Sequence, residues 1–243
     1  MRELLLLDSG SGALAVLRTL LPLSVARITV LADLAGQPYG TRSPEFVRQR
    51  VRTLLPWIRA RQSPLIVACN TTWAVARDLF DGISTYAIGD AGRRLLERAP
   101  FRRILVLATP LTVRAGIYAQ APEKEILQLP CQNWVEVVER GGLSSSRNSL
   151  HPSLPEVARA ASRADAIFLG CTHYPLLESV LRRLNKPLLD PAHELRSLLP
   201  ARIRGPGHPE IRLVVTSPSS RFRRLAARIL GTEFPLEVIH PAT

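Results

Sequence analysis

The chain has 243 residues, of which 46% are hydrophobic and 21% charged, with a formal net charge of +12. This composition excludes a disordered chain, and the one early apolar run, residues 4–7, is too short for a signal-peptide core or a membrane span. Three cysteines with no CxxC pair exclude a disulfide framework and argue against a zinc site, so the expectation is a cytoplasmic globular protein with reduced thiols and no metal.

The length allows one large or two small domains. Only two of the 32 basic residues are lysines, Lys124 and Lys186, and the arginines are scattered without a block of like charge. The positive charge therefore reads mainly as a solvated basic face, with a nucleic-acid surface as the minor reading.

Taken in order, residues 4–7 form a strand, Asp8-Ser9-Gly10-Ser11-Gly12 a turn, and residues 13–21 a helix with Leu14, Leu17 and Leu21 on one face. Asp8 and Ser9 stand beside a helix N-terminus, where backbone N–H groups favour an anion; helix capping is the plainer alternative. Residues 27–31 form the next strand and lead to the turn Pro38-Tyr39-Gly40. Ser43 and Pro44 start a helix that runs to about Arg61. Residues 64–69 are the strand of the first cysteine, followed by a helix over 73–80. A short strand at 85–88 precedes a helix over 91–99, and the strand 104–108 ends at Thr109-Pro110-Leu111-Thr112, with a helix starting over 113–118. Then come a strand at 125–129, a helix at 134–140, a Gly/Ser/Pro-rich loop at 141–155 and a helix at 156–164. The strand of Cys171 is followed by a helix over 176–184, a strand at 187–189 ending in Asp190, a crossover loop at 204–209, a strand at 211–216 and a last helix over 222–230.

Strands alternating with helices point to parallel α/β layers. Two stretches echo each other: Leu65-Ile66-Val67-Ala68-Cys69-Asn70-Thr71-Thr72 and Ile167-Phe168-Leu169-Gly170-Cys171-Thr172-His173. Each is a buried strand that stops at a small residue, a cysteine and hydrogen-bonding side chains, at the strand end where α/β sheets bind ligands. Asp8 precedes Cys69 by 61 residues and Thr109 precedes Cys171 by 62, as if the chain contained one unit twice. Two such halves facing each other would bring both thiols to one cleft. One thiolate could then take a proton from a carbon while the other thiol returns one from the opposite face, inverting that carbon. Asn70, Thr71, Thr172 and Ser9 are suited to hold a substrate carboxylate, with Asp8 expected beside Cys69 and His173 beside Cys171. Cys131 has no such context and reads as a buried structural residue.

On these residues the chain resembles the glutamate racemases, cofactor-independent members of the aspartate/glutamate racemase superfamily. The likeness is carried by Asp8-Ser9-Gly10-Ser11-Gly12, Pro38-Tyr39-Gly40, Ala68-Cys69-Asn70-Thr71, Thr109-Pro110-Leu111-Thr112-Val113, Val138-Glu139-Arg140-Gly141 and Leu169-Gly170-Cys171-Thr172-His173-Tyr174-Pro175-Leu176-Leu177, in order along nearly the whole chain. The resemblance implies two similar parallel-sheet α/β domains facing each other across an active-site cleft, one made of residues 1–91 and 206–243 and the other of 92–205. It implies Cys69 and Cys171 as the acid/base thiols, with Asp8, Glu139 and His173 as their helpers. Ser9, Tyr39, Gly40, Asn70, Thr71, Thr109, Thr112 and Thr172 match substrate-holding positions. It further implies no cofactor, glutamate as substrate, a homodimer, and a role in supplying D-glutamate for peptidoglycan. Aspartate or another acidic amino acid as substrate is the near alternative, and a non-catalytic binder of DNA gyrase or nucleic acid the distant one. Departures from the pattern fall at Ser11 and Ala13, at Thr72-Trp73, where a tryptophan either crowds the pocket or packs beneath it, and at Gly89-Asp90-Ala91.

Overall fold

The structure is a computed structural model that describes residues 3–142 and 153–241. Its ten strands are β1 (Glu3–Asp8), β2 (Arg27–Ala32), β3 (Leu65–Val67), β4 (Thr85–Ala87), β5 (Arg103–Ala108), β6 (Glu125–Pro130), β7 (Ala166–Gly170), β8 (Leu188–Leu189), β9 (Glu210–Val215) and β10 (Leu236–Val238). The helices are α1 (Gly12–Leu20), α2 (Pro44–Ala60), α3 (Asn70–Ala76), α4 (Ile88–Arg98), α5 (Pro110–Ala115), α6 (Gln132–Glu139), α7 (Leu154–Ala161), α8 (Glu178–Leu181), α9 (Pro191–Leu198) and α10 (Ser220–Leu230).

The strands form two all-parallel sheets. One has the order β10-β9-β2-β1-β3-β4 and the other β6-β5-β7-β8. Strands β1, β3 and β7 are buried almost throughout, because helices cover both faces and every side chain must then be apolar. In the first sheet the chain moves from β1 to β2 on one side and then to β3 on the other. In the second it moves from β5 to β6 and then across to β7. Each sheet thus reverses its strand order once, between β1 and β3 and between β5 and β7. At such a reversal the loops leave the strand ends in opposite directions and open a crevice. Asp8 and Cys69 flank the first reversal, and Thr109 and Cys171 flank the second. The echo in the sequence is the trace of this repeated geometry.

Helix α2 shows how the layers hold. Val47, Val51, Leu54 and Ile58 recur at helical spacing and are buried, the last three against the sheet and Val47 against Tyr39 and Cys69. Each such side chain contributes about 1.5–3 kcal/mol on removal from water. Its start is fixed by Ser43, whose Oγ accepts from the Phe46 N–H at 3.2 Å, with Pro44 as the first helical residue.

Several elements differ from the sequence reading. α3 begins at Asn70, directly after Cys69, and is followed by a 3-10 turn, Arg77–Phe80. α5 begins at Pro110 because Thr109 caps it, its Oγ1 accepting from the Thr112 N–H at 3.4 Å; the helix ends early at Gly116, whose φ of 70° is left-handed. The helix expected over 176–184 is three short turns, Tyr174–Leu177, Glu178–Leu181 and Arg182–Leu184, interrupted where Leu177 leaves helical geometry. α7 starts at Leu154, inside the expected loop, while 143–152 lie outside the described residues. α9 and β10 were not anticipated. Asp190 caps α9, its Oδ1 accepting from the Ala192 N–H at 2.9 Å.

Two of the three places where the chain departs from the racemase pattern, Thr72-Trp73 and Gly89-Asp90-Ala91, meet in space. A side chain at Gly89 would collide with the indole of Trp73, so the absence of a Cβ there makes room for the ring. Trp73 packs against the core beneath the first sheet and does not line the cleft described below. No helix among the described residues is long and apolar enough to cross a membrane.

Candidate active site

A narrow cleft with about 20 Å³ of free volume lies at the two strand-order reversals, walled by residues from both sheets. Cys69 and Cys171 both line it, at 5% and 6% exposure. Ser9, Tyr39, Asn70, Thr71, Thr109, Glu139, Thr172 and His173 line it with them. Asp8, Gly40 and Thr112 stand one layer behind the wall: they are buried and touch the residues that form it.

Cys69 occupies the cap position of α3, and its Sγ accepts from the Thr72 N–H at 3.4 Å. Ser9 Oγ lies 3.5 Å from the same sulfur. Burial pushes the Cys69 thiol up, and the nearby Asp8 charge adds to this, against a smaller lowering by the Thr72 and Ser9 bonds. A proton on this sulfur is therefore favoured. Asp8 does not hydrogen-bond Cys69, although the sequence reading set it there as a partner. Its Oδ1 accepts from the Gly10 N–H at 3.0 Å, and its Oδ2 accepts from the Thr172 hydroxyl at 3.1 Å, so the carboxylate ties the first sheet to the Cys171 turn. Burial pushes Asp8 up to about 6, with His173, Gly10 and Thr172 holding it back.

Around Cys171 the surroundings are charged. Its sulfur lies 3.6 Å from His173 Nδ1, and His173 Nε2 lies 2.7 Å from Glu139 Oε1. Burial works against charge on His173, but the bonds to Cys171 and Glu139 outweigh it and hold the imidazole well above its ordinary range. Glu139 is lowered in turn: burial opposes its charge, while the His173 bond and two bonds from Ser11 favour it. Those last two come from the Ser11 N–H and the Ser11 hydroxyl, both 2.9 Å from Glu139 Oε1. With both ring nitrogens protonated, Nδ1 donates toward the Cys171 sulfur and Nε2 donates to the carboxylate. Gly12 permits this junction, since any side chain there would collide with Thr172 and His173.

Between the thiols lies a set of hydrogen-bonding groups. The hydroxyls of Thr71, Thr109 and Thr112 form a triangle with sides of 2.9, 2.9 and 3.1 Å, joining α3 to α5 across the two sheets. Asn70 Oδ1 accepts from the Tyr118 hydroxyl at 2.5 Å, while its buried Nδ2 has no protein partner among the described residues. Buried donors are nearly always paired, so an amide left free in a cleft is matched to an acceptor on a ligand. Cys131 is buried away from the cleft, and burial pushes it up to about 12, which leaves it an inert thiol.

Sequence reasoning did not assign roles to Ser11, Gln37 or Tyr118. Ser11 stands inside the first turn motif, and Gln37 immediately precedes Pro38-Tyr39-Gly40 and lines the cleft. Tyr118 lies 48 residues from Asn70, and no local signal announces the bond between them.

Comparison with known proteins bears on the same arrangement. Residues 16–198 match the family model described as Asp/Glu/Hydantoin racemase. A glutamate racemase from Synechococcus sp. (strain CC9605) is 36% identical over 212 residues, spanning 82% of this chain and 79% of its own. One from Syntrophus aciditrophicus (strain SB) is 32% identical over 255 residues, spanning 94% of this chain and 92% of its own. A crystal structure of glutamate racemase from Francisella tularensis subsp. tularensis SCHU S4, in complex with D-glutamate, superposes with a TM-score of 0.79 and 26% identity, covering 98% of this chain and 97% of that one.

Proposed function

The chain belongs to the Asp/Glu/hydantoin racemase family, and from that premise we propose that it interconverts L- and D-glutamate without a cofactor, using Cys69 and Cys171 as its acid/base pair. The observation that carries this reading is the placement of two buried thiols on one cleft, each at the strand-order reversal of its own sheet. One thiolate removes the Cα proton: the C–H bond breaks, an S–H bond forms, and the electron pair left on carbon spreads into the adjoining carboxylate. The second thiol delivers its proton to the opposite face of the same carbon, and the configuration inverts. Donors from Ser9, Asn70, Thr71, Thr109 and Thr172 hold the carboxylates and stabilise the charge that develops there. Before substrate binds, Cys69, raised by burial, keeps its proton, while the His173 imidazolium stands 3.6 Å from the Cys171 sulfur, so the two thiols sit in different surroundings. Asp8 and Glu139 tune this difference rather than touch the reacting carbon.

We propose two domains, residues 1–91 with 206–243 and residues 92–205, a division that the strand membership of the two sheets supports. Strands from 3–87 and 210–238 build the Cys69 body, and strands from 103–189 build the Cys171 body. By family likeness Cys69 deprotonates D-glutamate, the chain is a homodimer, and D-glutamate made here supplies peptidoglycan. A dimer appears in analytical ultracentrifugation as about twice the 26.8 kDa of one chain.

Circular dichroism of D- and L-glutamate solutions with purified protein tests the activity, with aspartate in parallel and the Cys69→Ser and Cys171→Ser variants alongside. Loss of optical signal from either glutamate enantiomer, abolished in both variants, is the expected result. Change with aspartate and none with glutamate would keep the chemistry and move the substrate. No change with either would overturn the reading.

A further inference from the structure

Behind the Tyr39 wall of the cleft lies a buried carboxylate that the chemistry above does not use. Asp33 follows β2, its side chain has no exposed surface, and four side-chain donors converge on it. Tyr39 donates its hydroxyl to Oδ2 at 2.5 Å, and Arg50 of α2 donates Nε to Oδ2 at 2.9 Å and Nη2 to Oδ1 at 2.6 Å. Thr216, immediately after β9, donates its hydroxyl to Oδ1 at 2.6 Å and accepts the Ala35 N–H at 2.9 Å. The Asp33 N–H in turn donates to the Asp8 carbonyl at 3.0 Å. One residue therefore joins β2, α2 and β9 to two parts of the site: the Asp8 turn and the Tyr39 ring. That ring packs with Val47, Leu111 and the Cys69 thiol. The Asp33 charge and burial both keep the Tyr39 hydroxyl protonated, as a donor to a carboxylate must be.

A buried ion pair with every lone pair satisfied holds its partners in one geometry, and such networks fix specificity more than they add stability. The Cys171 side has a comparable fixture in His173, Glu139 and Ser11, but among the described residues the Cys69 thiol has only Ser9 and the Thr72 N–H as hydrogen-bond partners. Its packing against Tyr39 supplies the missing constraint. We propose that Asp33 is a positioning residue for the Cys69 half of the reaction: held by Arg50 and Thr216, it fixes the Tyr39 ring against the Cys69 thiol and so sets the barrier for proton transfer at that sulfur. The proposal rests on the two-thiol racemase reading above.

The test is an isotope-effect measurement with α-deuterated D- and L-glutamate on wild type and Asp33→Asn. The substitution keeps the shape and removes the charge and one acceptor. kcat/KM falls by about a hundredfold, the scale expected when a reacting group is misplaced by about 1 Å. It falls equally for both enantiomers, because the equilibrium constant of racemisation is one. The isotope effect on kcat/KM rises for the enantiomer that Cys69 deprotonates and shrinks for the other, because only one of the two transfers has become slower. Tyr39→Phe, which removes a single hydroxyl, moves both isotope effects the same way with a loss of about tenfold, and it decides the matter alone if Asp33→Asn does not fold. A loss of activity with both isotope effects at their wild-type values overturns the proposal, since fewer folded molecules lower the rate without changing which transfer limits it. Unchanged kcat/KM overturns it too. A wild-type protein that does not racemise glutamate instead contradicts the reading on which the proposal stands, so the two failures are told apart.

Discussion

Around Cys69 the hydrogen-bond partners are neutral, a serine hydroxyl and a backbone N–H, and the nearest charge is the Asp8 carboxylate, which discourages a thiolate. Around Cys171 the partner is a histidine held in its charged form by Glu139. Both thiols stand at equivalent places in their sheets, after a buried parallel strand and at a reversal of strand order. The fold is thus repeated, and the electrostatics are not. A symmetric pair of thiols would have no reason for one to be acid and the other base. The contrast between a neutral and a charged neighbourhood distinguishes the two thiols, and substrate of either hand can use them in opposite order by a single proton shift.

The severest break in this comparison is removal of either sulfur. Cys69→Ser and Cys171→Ser each lower the racemisation rate by about a thousandfold or more, read by the optical rotation of glutamate solutions, because a hydroxyl is far too weak an acid to take the thiol's place. Glu139→Gln removes the charge that sustains the His173 imidazolium. His173 is raised in the folded protein, so its positive charge is present below its folded pKa and lost as pH rises through it. The Gln variant loses activity at lower pH on the alkaline side, with kcat down by about a hundredfold, and a pH–rate profile reads both.

Asp8→Asn acts on the Cys69 side. Asp8 titrates near 6 in the fold, so in the wild type an acid limb lies near pH 6, and it disappears in the variant, with kcat down about tenfold. The sign for stability is opposite to that of an ordinary paired carboxylate. Because the folded pKa lies above the ordinary carboxylate value of 3.8, the native state binds more protons between that value and about 6, and this group's contribution is lost as pH rises through that window. Asp8→Asn therefore raises stability above pH 6, by up to about 3 kcal/mol, in denaturant titrations at pH 7.5 set against pH 4. Ser11→Ala has the smallest effect: it takes away one of two bonds from Ser11 to Glu139 and leaves the backbone one, so kcat falls by roughly tenfold or less.

The strands of this site were legible because parallel strands covered on both faces must be apolar along their length, and each ends abruptly at a polar turn. Leu65-Ile66-Val67 before Cys69 and Ile167-Phe168-Leu169 before Cys171 announce both turns without help. Partners were legible only where they are local, as His173 is to Cys171. Asp8 is expected beside Cys69 and its charge does act on that thiol, yet its side chain hydrogen-bonds Thr172, 164 residues away and on the other sheet. The Asp33 network was invisible for the same reason: Thr216 is 183 residues distant, and nothing in its surroundings marks it. α9 has a readable signal, with Ala192, Leu195 and Leu199 at helical spacing after Asp190-Pro191. The helix expected over 176–184 failed because apolar spacing does not distinguish one helix from successive 3-10 and α turns.

The central claim is that two different sulfurs handle the proton on opposite faces of one carbon. Racemisation of each enantiomer in D2O, stopped at low conversion and examined by mass spectrometry and NMR, tests it most directly. The account predicts deuterium at Cα of the product enantiomer and almost none in the recovered substrate, from either direction, because the thiol that delivers the proton has exchanged with solvent while the thiol that removes it has not yet returned one. Equal deuterium in product and recovered substrate would mean a single base serving both faces and would contradict it.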